Sequence, residues 1–228
     1  MNLPFSKISS ITKKQIVAAT GLGLIGYVIA HLVGNFLIYK GPAALNGYAE
    51  FLASLRPGLF LIELILFGIF VSHMYFTYLV ILENILARGT GYKVYKSVGE
   101  RSWATRLMPY TGTVILAFVV WHIFDFTLTD HRGPRSVMPN GQSLGLYGIV
   151  YNSFRDPIHS SFYIVAMICL GLHLSHAIQS CFQTFGFNHP KYTPYIEKAS
   201  NFLGFLIAAG YITIPVWVLL ESHFGTRL

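Results

Sequence analysis

Five histidines lie inside long apolar stretches of this sequence, where an imidazole side chain is an unusual occupant. They are His31, His73, His122, His173 and His176. Around the last two, from Pro157 to Pro190, the chain has no Asp, Glu, Lys or Arg. Ionisable groups at membrane depth are costly and generally face a partner, a cofactor or the interior of a helix bundle. We therefore expect these imidazoles to converge on a metal centre inside a bundle.

The number of deep histidines indicates which metal centre this would be. One buried histidine is more often a hydrogen-bonded packing residue than a ligand, but one on each of four stretches supplies two bis-imidazole pairs. Two pairs satisfy two six-coordinate b-type haems, because neutral imidazole is a common axial ligand of haem iron. Zinc is disfavoured, since structural zinc sites usually include cysteine and catalytic ones cluster three protein ligands. No Cys-x-x-Cys-His sequence is present, so the haems would be bound non-covalently.

Composition identifies the elements that must position these histidines. Of 228 residues, 54% are hydrophobic and 11% charged, against roughly 25% charged in an ordinary soluble domain. Taking about 20 apolar residues as one membrane crossing, we predict an all-α membrane protein. It would be one transmembrane domain (1–228), a five-helix bundle holding two haems between its first four helices. The predicted helices are 15–39, 58–86, 106–128, 157–186 and 197–221, with no convincing internal repeat.

The basic residues set the expected orientation in the membrane. The net charge of +7 comes from short tracts between apolar stretches, a pattern that argues against nucleic-acid binding. Ten Lys and Arg fall on the N-terminal side and six on the other, which predicts a cytoplasmic N-terminus. The first group is Lys7, Lys13, Lys14, Arg88, Lys93, Lys96, Arg101, Arg106, Lys191 and Lys198; the second is Lys40, Arg56, Arg132, Arg135, Arg155 and Arg227.

Spacing predicts how the histidines pair. The last charge before each of the first four helices is Lys14, Arg56, Arg106 or Asp156, and the deep histidine follows it by 17, 17, 16 and 17 residues. That is about 25 Å of helix, past the midplane of a core roughly 30 Å thick. Consecutive helices are antiparallel, so we predict an outer pair, His31/His122, and an inner pair, His73/His173. His176 lies one turn beyond His173, and this arithmetic leaves it open as the ligand.

Other motifs have simpler interpretations. Gly21, Gly23 and Gly26 match the dinucleotide fingerprint G-x-G-x-x-G, but no strand precedes them, so close helix or cofactor approach is preferred. Glycines on the histidine helices would leave room for a porphyrin, and ordinary small-residue packing explains them equally well; they are Gly34, Gly68, Gly112 and Gly171. The remaining histidines are expected to be solvated or interfacial; they are His131, His159, His189 and His223.

Taken together, these stretches resemble a known family. The segments HLVGNFLIYKGPAALNGYAEFLASL, IELILFGIFVSHMYFTYLV, TGTVILAFVVWHIFDF and GLHLSHAIQSCFQTFG are similar to the single-chain, five-helix, di-haem cytochrome b membrane anchor of succinate dehydrogenases and fumarate reductases, the type usually coupled to menaquinone. The resemblance covers nearly the whole chain. It implies His31, His73, His122 and His173 as axial ligands, and it is what favours His173 over His176.

The resemblance also implies partners and a location. A flavoprotein with covalent FAD and an iron–sulfur subunit would lie on the cytoplasmic side of a bacterial inner membrane, with this chain anchoring both and exchanging electrons with quinone. No dicarboxylate chemistry is visible in the sequence, so no catalytic residue is assigned. Two acids found in some fumarate reductases of the family are missing: Gly171 stands two residues before the fourth ligand, and Ala53 stands after the first helix, with Glu50 one turn earlier.

The quinone is expected near the outer haem, around Tyr48, Glu50 and Glu63. Polar groups beside an apolar bundle mouth suit a quinone head whose reduction takes up protons. Glu63 could instead reach back to the outer interface, which we slightly favour.

Two alternative functions are the cytochrome b of another quinone-linked dehydrogenase and a haem-free structural or transport bundle. A transporter should show repeats and paired broken helices, and only Pro215 hints at a break.

Overall fold

The structure is a computed structural model that describes residues 8–88 and 103–225. Within these ranges the regular structure is helical, apart from a single antiparallel bridge between Val137 and Ser143. The helices are α1 (Ser10–Asn35), α2 (Pro42–Ser54), α3 (Gly58–Arg88), α4 (Trp103–His122), α5 (Gly145–Phe154), α6 (Pro157–Thr184) and α7 (Thr193–Phe224). A 3-10 turn (Phe36–Lys40) extends α1, and a π-helical turn (Ile123–Thr127) extends α4.

Five helices are long and apolar enough to cross a membrane, as the sequence predicts. The candidate spans are Ser10–Lys40, Gly58–Ala87, Arg106–Thr127, Pro157–Thr184 and Thr193–Phe224. The predicted start at Asp156-Pro157 is a capped one, because the Asp156 carboxylate accepts a bond from the Ile158 amide at 3.0 Å. The predicted all-α, five-helix fold class is thus confirmed.

Helix α6 lies at the centre of the bundle and packs against α1, α4, α5 and α7. Small residues allow the closest of these contacts. A Cβ built on Gly204 would lie 2.6 Å from the Ser175 amide nitrogen, and one on Gly171 would lie 2.8 Å from Ala208 Cβ. Gly171 therefore serves helix packing, which is one of the two explanations that its position allowed. Helix α3 packs chiefly on α1 and α4 chiefly on α6.

Two short helices that the apolar pattern did not predict cover one end of the bundle. We call α2, α5 and residues 128–144 the cap. Asn46 of α2 joins its parts, because its Nδ2 donates to the Leu144 carbonyl at 2.8 Å and its Oδ1 accepts from the Tyr147 amide at 3.1 Å. Burial raises the pKa of the Tyr147 phenol to about 12, so the side chain stays neutral. The cap packs onto the ends of α1, α4 and α7 through one apolar cluster that includes Ile38, Leu45, Phe126, Ile149 and Val218.

Candidate metal centre

The structure brings His31 of α1 and His122 of α4 together beneath the cap. Their ring centroids are 5.8 Å apart and their planes are nearly perpendicular, at 88°. Aromatic side chains surround both rings. Tyr27, one turn earlier on α1, stacks on His31 at 5.5 Å, and Tyr163 of α6 contacts His122 edge-on at 6.1 Å. Among the described residues, Nδ1 of His122 is buried without a hydrogen-bond partner.

His73 of α3 faces α1 about three turns away from His31. Its Nδ1 lies 3.1 Å from the Thr20 hydroxyl and 3.2 Å from the Val17 carbonyl. Gly21 makes this approach possible, since a Cβ there would lie 3.3 Å from His73 Cε1. Because His31 follows Thr20 by eleven residues, it lies roughly 16 Å further along the helix.

His173 of α6 faces α4 in the same manner. Its Nδ1 lies 3.2 Å from the Thr111 hydroxyl and also bonds to the Met108 backbone. Gly112 lies against the ring, with a built Cβ 3.4 Å from His173 Cε1. His73 and His173 are near enough to interact electrostatically. The pairing of these four histidines as ligands, which the depth arithmetic gives, stays a prediction.

His176 has a different environment, with its Nδ1 3.0 Å from Nε2 of Gln179, one turn further along α6. An amide N–H can only donate, so Nδ1 of His176 is the accepting nitrogen and its Nε2 carries the hydrogen. At His173 the backbone carbonyl is the acceptor, so Nδ1 carries the hydrogen and Nε2 keeps its lone pair. A metal-binding imidazole typically binds the metal through one nitrogen and donates the N–H of the other nitrogen to a nearby acceptor. The Nδ1–H of His173 has such an acceptor, which favours His173 over His176 as the ligand.

The fit of these residues to haem can be judged from the spacing of the rings. Two imidazoles bound on opposite sides of one metal ion through bonds of about 2 Å have ring centres roughly 6 Å apart. The 5.8 Å between His31 and His122 matches that requirement. In the part of the chain that the structure describes, no three His, Cys, Asp or Glu side chains are grouped to hold a metal ion. His31 and His122 thus meet as a group of two, the number of imidazoles that one six-coordinate haem iron would take from the protein.

A polar cluster that the sequence analysis did not predict lies beside the outer pair. Asp125, in the π-helical turn after His122, has a side chain only 9% exposed. Its carboxylate accepts from Arg135 at 2.6 Å and from the Tyr163 hydroxyl at 2.7 Å, and lies 2.9 Å from His159 Nε2. His159 was expected to be solvated or interfacial. It lies in the first turn of α6, where its side chain is 15% exposed and stacks on Tyr163. It is therefore not solvated, and the interfacial position stays a prediction.

The residues expected around a quinone lie on the same side as the outer pair. The Tyr48 ring of α2 covers Gly34, with a built Cβ 2.9 Å from its Cε1. Glu63 of α3 forms an ion pair with Arg56 at 3.1 Å, and it interacts electrostatically with Tyr27, which stacks on His31. Glu50 is exposed on α2. Glu63 thus reaches back towards the start of its helix, as we slightly favoured.

Fold and site together define a multi-pass α-helical membrane protein with a histidine inside each of the first four of its five candidate spans. The chain is 26% identical over 202 residues to the succinate dehydrogenase cytochrome b558 subunit of Bacillus subtilis (strain 168), covering 88% of this chain and 86% of that protein. This confirms the resemblance to the cytochrome b membrane anchors of succinate dehydrogenases. No family model matches the chain. No solved structure matches it either.

Proposed function

We propose that this protein is the membrane anchor and electron-transfer subunit of a succinate:quinone oxidoreductase, connecting an iron–sulfur subunit to quinone, in the first instance menaquinone, through two b-type haems. The observation that carries the proposal is the approach of the His31 and His122 rings, with centroids 5.8 Å apart, inside a bundle with five candidate membrane spans. The similarity to a succinate dehydrogenase cytochrome b558 subunit over most of both chains supports it.

Each of the first four membrane-spanning helices (α1, α3, α4 and α6) would contribute one histidine to haem binding. His31 and His122 would hold one haem beneath the cap, and His73 and His173 the other. Bound haem supplies an iron that takes up and releases single electrons. The protein's part is to fix the imidazoles: hydroxyl and carbonyl oxygens orient His73 and His173, whereas aromatic rings pack around His31 and His122. Apolar helices around both pairs exclude water.

The flavoprotein and iron–sulfur subunits would dock on the cytoplasmic side, where the N-terminus and the inner pair lie. The basic segment 88–106 is the proposed contact, and residues 89–102 of it fall outside the described part of the chain. Cross-linking of the intact complex tests this arrangement. Cross-links from the iron–sulfur subunit to this segment are expected, and cross-links only to the cap would overturn the orientation.

Quinone would bind beside the outer pair, near Tyr48, Glu50 and Glu63. The Arg56–Glu63 pair and the Tyr48 phenol provide polar groups at the edge of an apolar bundle, which suits a quinone head. Replacing Glu50 with Gln should slow quinone-linked turnover if this carboxylate supplies protons there. Unchanged turnover would remove Glu50 from the site and favour a pocket at the inner end.

Haem content decides the proposed function. An alkaline pyridine spectrum of the purified complex, divided by chain concentration, should report two non-covalent b-type haems per chain. A count of zero or one in fully loaded protein would refute the two-haem proposal. A haem-free bundle with intact helices would leave the structural or transport alternative as the better explanation.

A further inference from the structure

The contacts that hold His73 and His173 repeat along the chain with one register. Thr20, Gly21 and His31 of α1 have counterparts 91 residues later in Thr111, Gly112 and His122 of α4. The residues whose backbone contacts His73 and His173, Val17 and Met108, are also 91 positions apart. Helices α1 and α4 therefore present the same threonine–glycine pair to a histidine of the following long helix, α3 in one case and α6 in the other.

In both copies the threonine hydroxyl makes the same contacts, with two carbonyls of its own helix and with one imidazole Nδ1. Thr20 Oγ1 donates to the Ile16 carbonyl at 2.7 Å and lies 3.1 Å from His73 Nδ1. Thr111 Oγ1 donates to the Leu107 carbonyl at 3.0 Å and lies 3.2 Å from His173 Nδ1. A hydroxyl has one hydrogen, so each threonine that donates to its own helix must accept from the imidazole. The backbone carbonyl beside each ring can only accept, so Nδ1 of both histidines carries the hydrogen.

The adjacent glycine permits the contact. A Cβ at residue 21 would lie 3.3 Å from His73 Cε1, so that ring would have to shift by a few tenths of an ångström. A Cβ at residue 112 would lie 3.4 Å from His173 Cε1, at the edge of ordinary van der Waals contact. Each threonine–glycine pair therefore combines a hydroxyl that contacts Nδ1 of the histidine with a glycine that leaves room for the imidazole ring. The outer pair lacks this device among the described residues, where His122 Nδ1 has no partner.

We propose that Thr20 and Thr111 are positioning residues that act with the neighbouring carbonyls of Val17 and Met108 to hold the Nδ1–H tautomer and the ring orientation of His73 and His173, so that Nε2 of each keeps the lone pair that would bind iron. The proposal rests on the proposed function, because it concerns the inner haem. Acceptors on Nδ1–H make an imidazole a more electron-rich ligand, and partners of this kind typically contribute 10–100-fold to metal affinity.

Potentiometric titration of the intact, detergent-solubilised complex tests the inference, with the inner signal identified as the one that His73→Leu removes. Thr20→Val and Thr111→Val keep the shape of the side chain and remove the hydroxyl that accepts from Nδ1, while the backbone carbonyl beside each ring remains. Each should move the midpoint potential of the inner haem upwards and weaken its retention by about tenfold. The outer signal of the same sample should stay unchanged and reports that the bundle has assembled.

Two controls separate the tautomer from packing. Thr20→Ser and Thr111→Ser keep the hydroxyl and should restore the inner potential. Thr113→Val removes an exposed hydroxyl of α4 that bonds only to the Pro109 carbonyl, and should change neither signal. If a valine variant does not assemble, the alanine variant at the same position replaces it.

The outcomes distinguish this inference from the function on which it rests. A wild-type complex without haem would overturn both. Two haems in the wild type, with inner potential and retention unchanged in Thr20→Val and Thr111→Val, would overturn the positioning role alone. An equal shift of both haem signals would also overturn the positioning role, because the histidines that these hydroxyls contact in the described residues are His73 and His173.

Discussion

The outer pair, His31 and His122, lies among aromatic rings, whereas the inner pair, His73 and His173, is held by hydroxyl and carbonyl oxygens of the neighbouring helices. The two pairs use the same residue type, yet the protein orients them by different means. Packing is tolerant of small shifts, while a hydrogen bond to one ring nitrogen specifies both rotation and tautomer. Substitutions at the two levels should therefore have separable effects.

Removal of single histidines should have the largest effect. We expect His31→Leu and His122→Leu each to abolish the outer haem signal, and His73→Leu and His173→Leu the inner one, because an iron with one axial imidazole no longer has its bis-imidazole spectrum. Redox difference spectra of each variant measure this. His176→Leu should keep both signals. Loss of the same signal from His31→Leu and His73→Leu would show that the depth-based pairing is wrong.

A side chain at Gly21 should act on the inner pair alone. The first added carbon would lie 3.3 Å from His73 Cε1 and 3.8 Å from Cys181 Sγ, so the two further methyls of Gly21→Val must displace the ring. Overpacking of this kind costs about 1–3 kcal/mol. We expect the inner haem to be lost and the outer one retained in the spectrum. Gly26→Val on the same helix is the matched control, since its Cβ meets nothing within 4 Å.

The ion pair at the inner end of the bundle joins the helices that carry His31 and His73. Lys13 pairs with Glu83, and the lysine side chain is only 2% exposed. Removing one partner of a buried pair costs about 3–5 kcal/mol because the other charge is left uncompensated, and the cost is smaller here because Glu83 is 32% exposed. Lys13→Met should thus lower the free energy of unfolding by about 2–3 kcal/mol in thermal melts. Lys14→Met, an exposed neighbour, should change it little. Equal costs for the two would mean that the pair is solvated in the complex.

The Asp125 cluster is the corresponding polar element at the outer end. Asp125→Ala would leave Arg135, His159 and the Tyr163 hydroxyl without their shared acceptor. We expect a loss of about 2 kcal/mol, less than for a fully buried pair because Arg135 is 42% exposed. Since Tyr163 contacts His122, the outer haem potential should move and the inner one should not. Asp130→Ala, in the exposed loop, serves as the control for thermal melts and potentials. An inner shift would contradict the separation of levels.

The sequence predicted the long helices well, because apolar stretches have a simple length scale. The grouping of the histidines stays a prediction. Apolar stretches reveal helices that lipid must cover, and charge positions mark where each enters the membrane. The same length criterion explains why the cap was not predicted. Helices α2 and α5 are short, and neither has the length of a crossing.

The threonine–glycine pairs show why local contacts were harder to predict. The 91-residue register of Thr20 with Thr111 is present in the sequence, yet no convincing repeat was recognised, since the residues between differ and the following histidines, His73 and His173, are 100 apart. Only the packing of α1 on α3 and of α4 on α6 shows that both threonines face an imidazole. A search restricted to Thr-Gly-x9-His would have found the register.

The smallest effect is expected at Arg56 and Glu63, and it completes the comparison of the two ends of α3. Their side chains are 54% and 49% exposed, in contrast to the buried Lys13 at the other end. An exposed pair contributes about 0.2–1 kcal/mol and is screened by salt. Arg56→Gln should therefore change the free energy of unfolding by less than about 1 kcal/mol, and the difference should fall as salt is added. Glu63→Gln should match it, because either change removes the same ion pair. A cost of several kcal/mol, insensitive to salt, would instead mean that bound quinone or lipid buries this pair in the assembled complex.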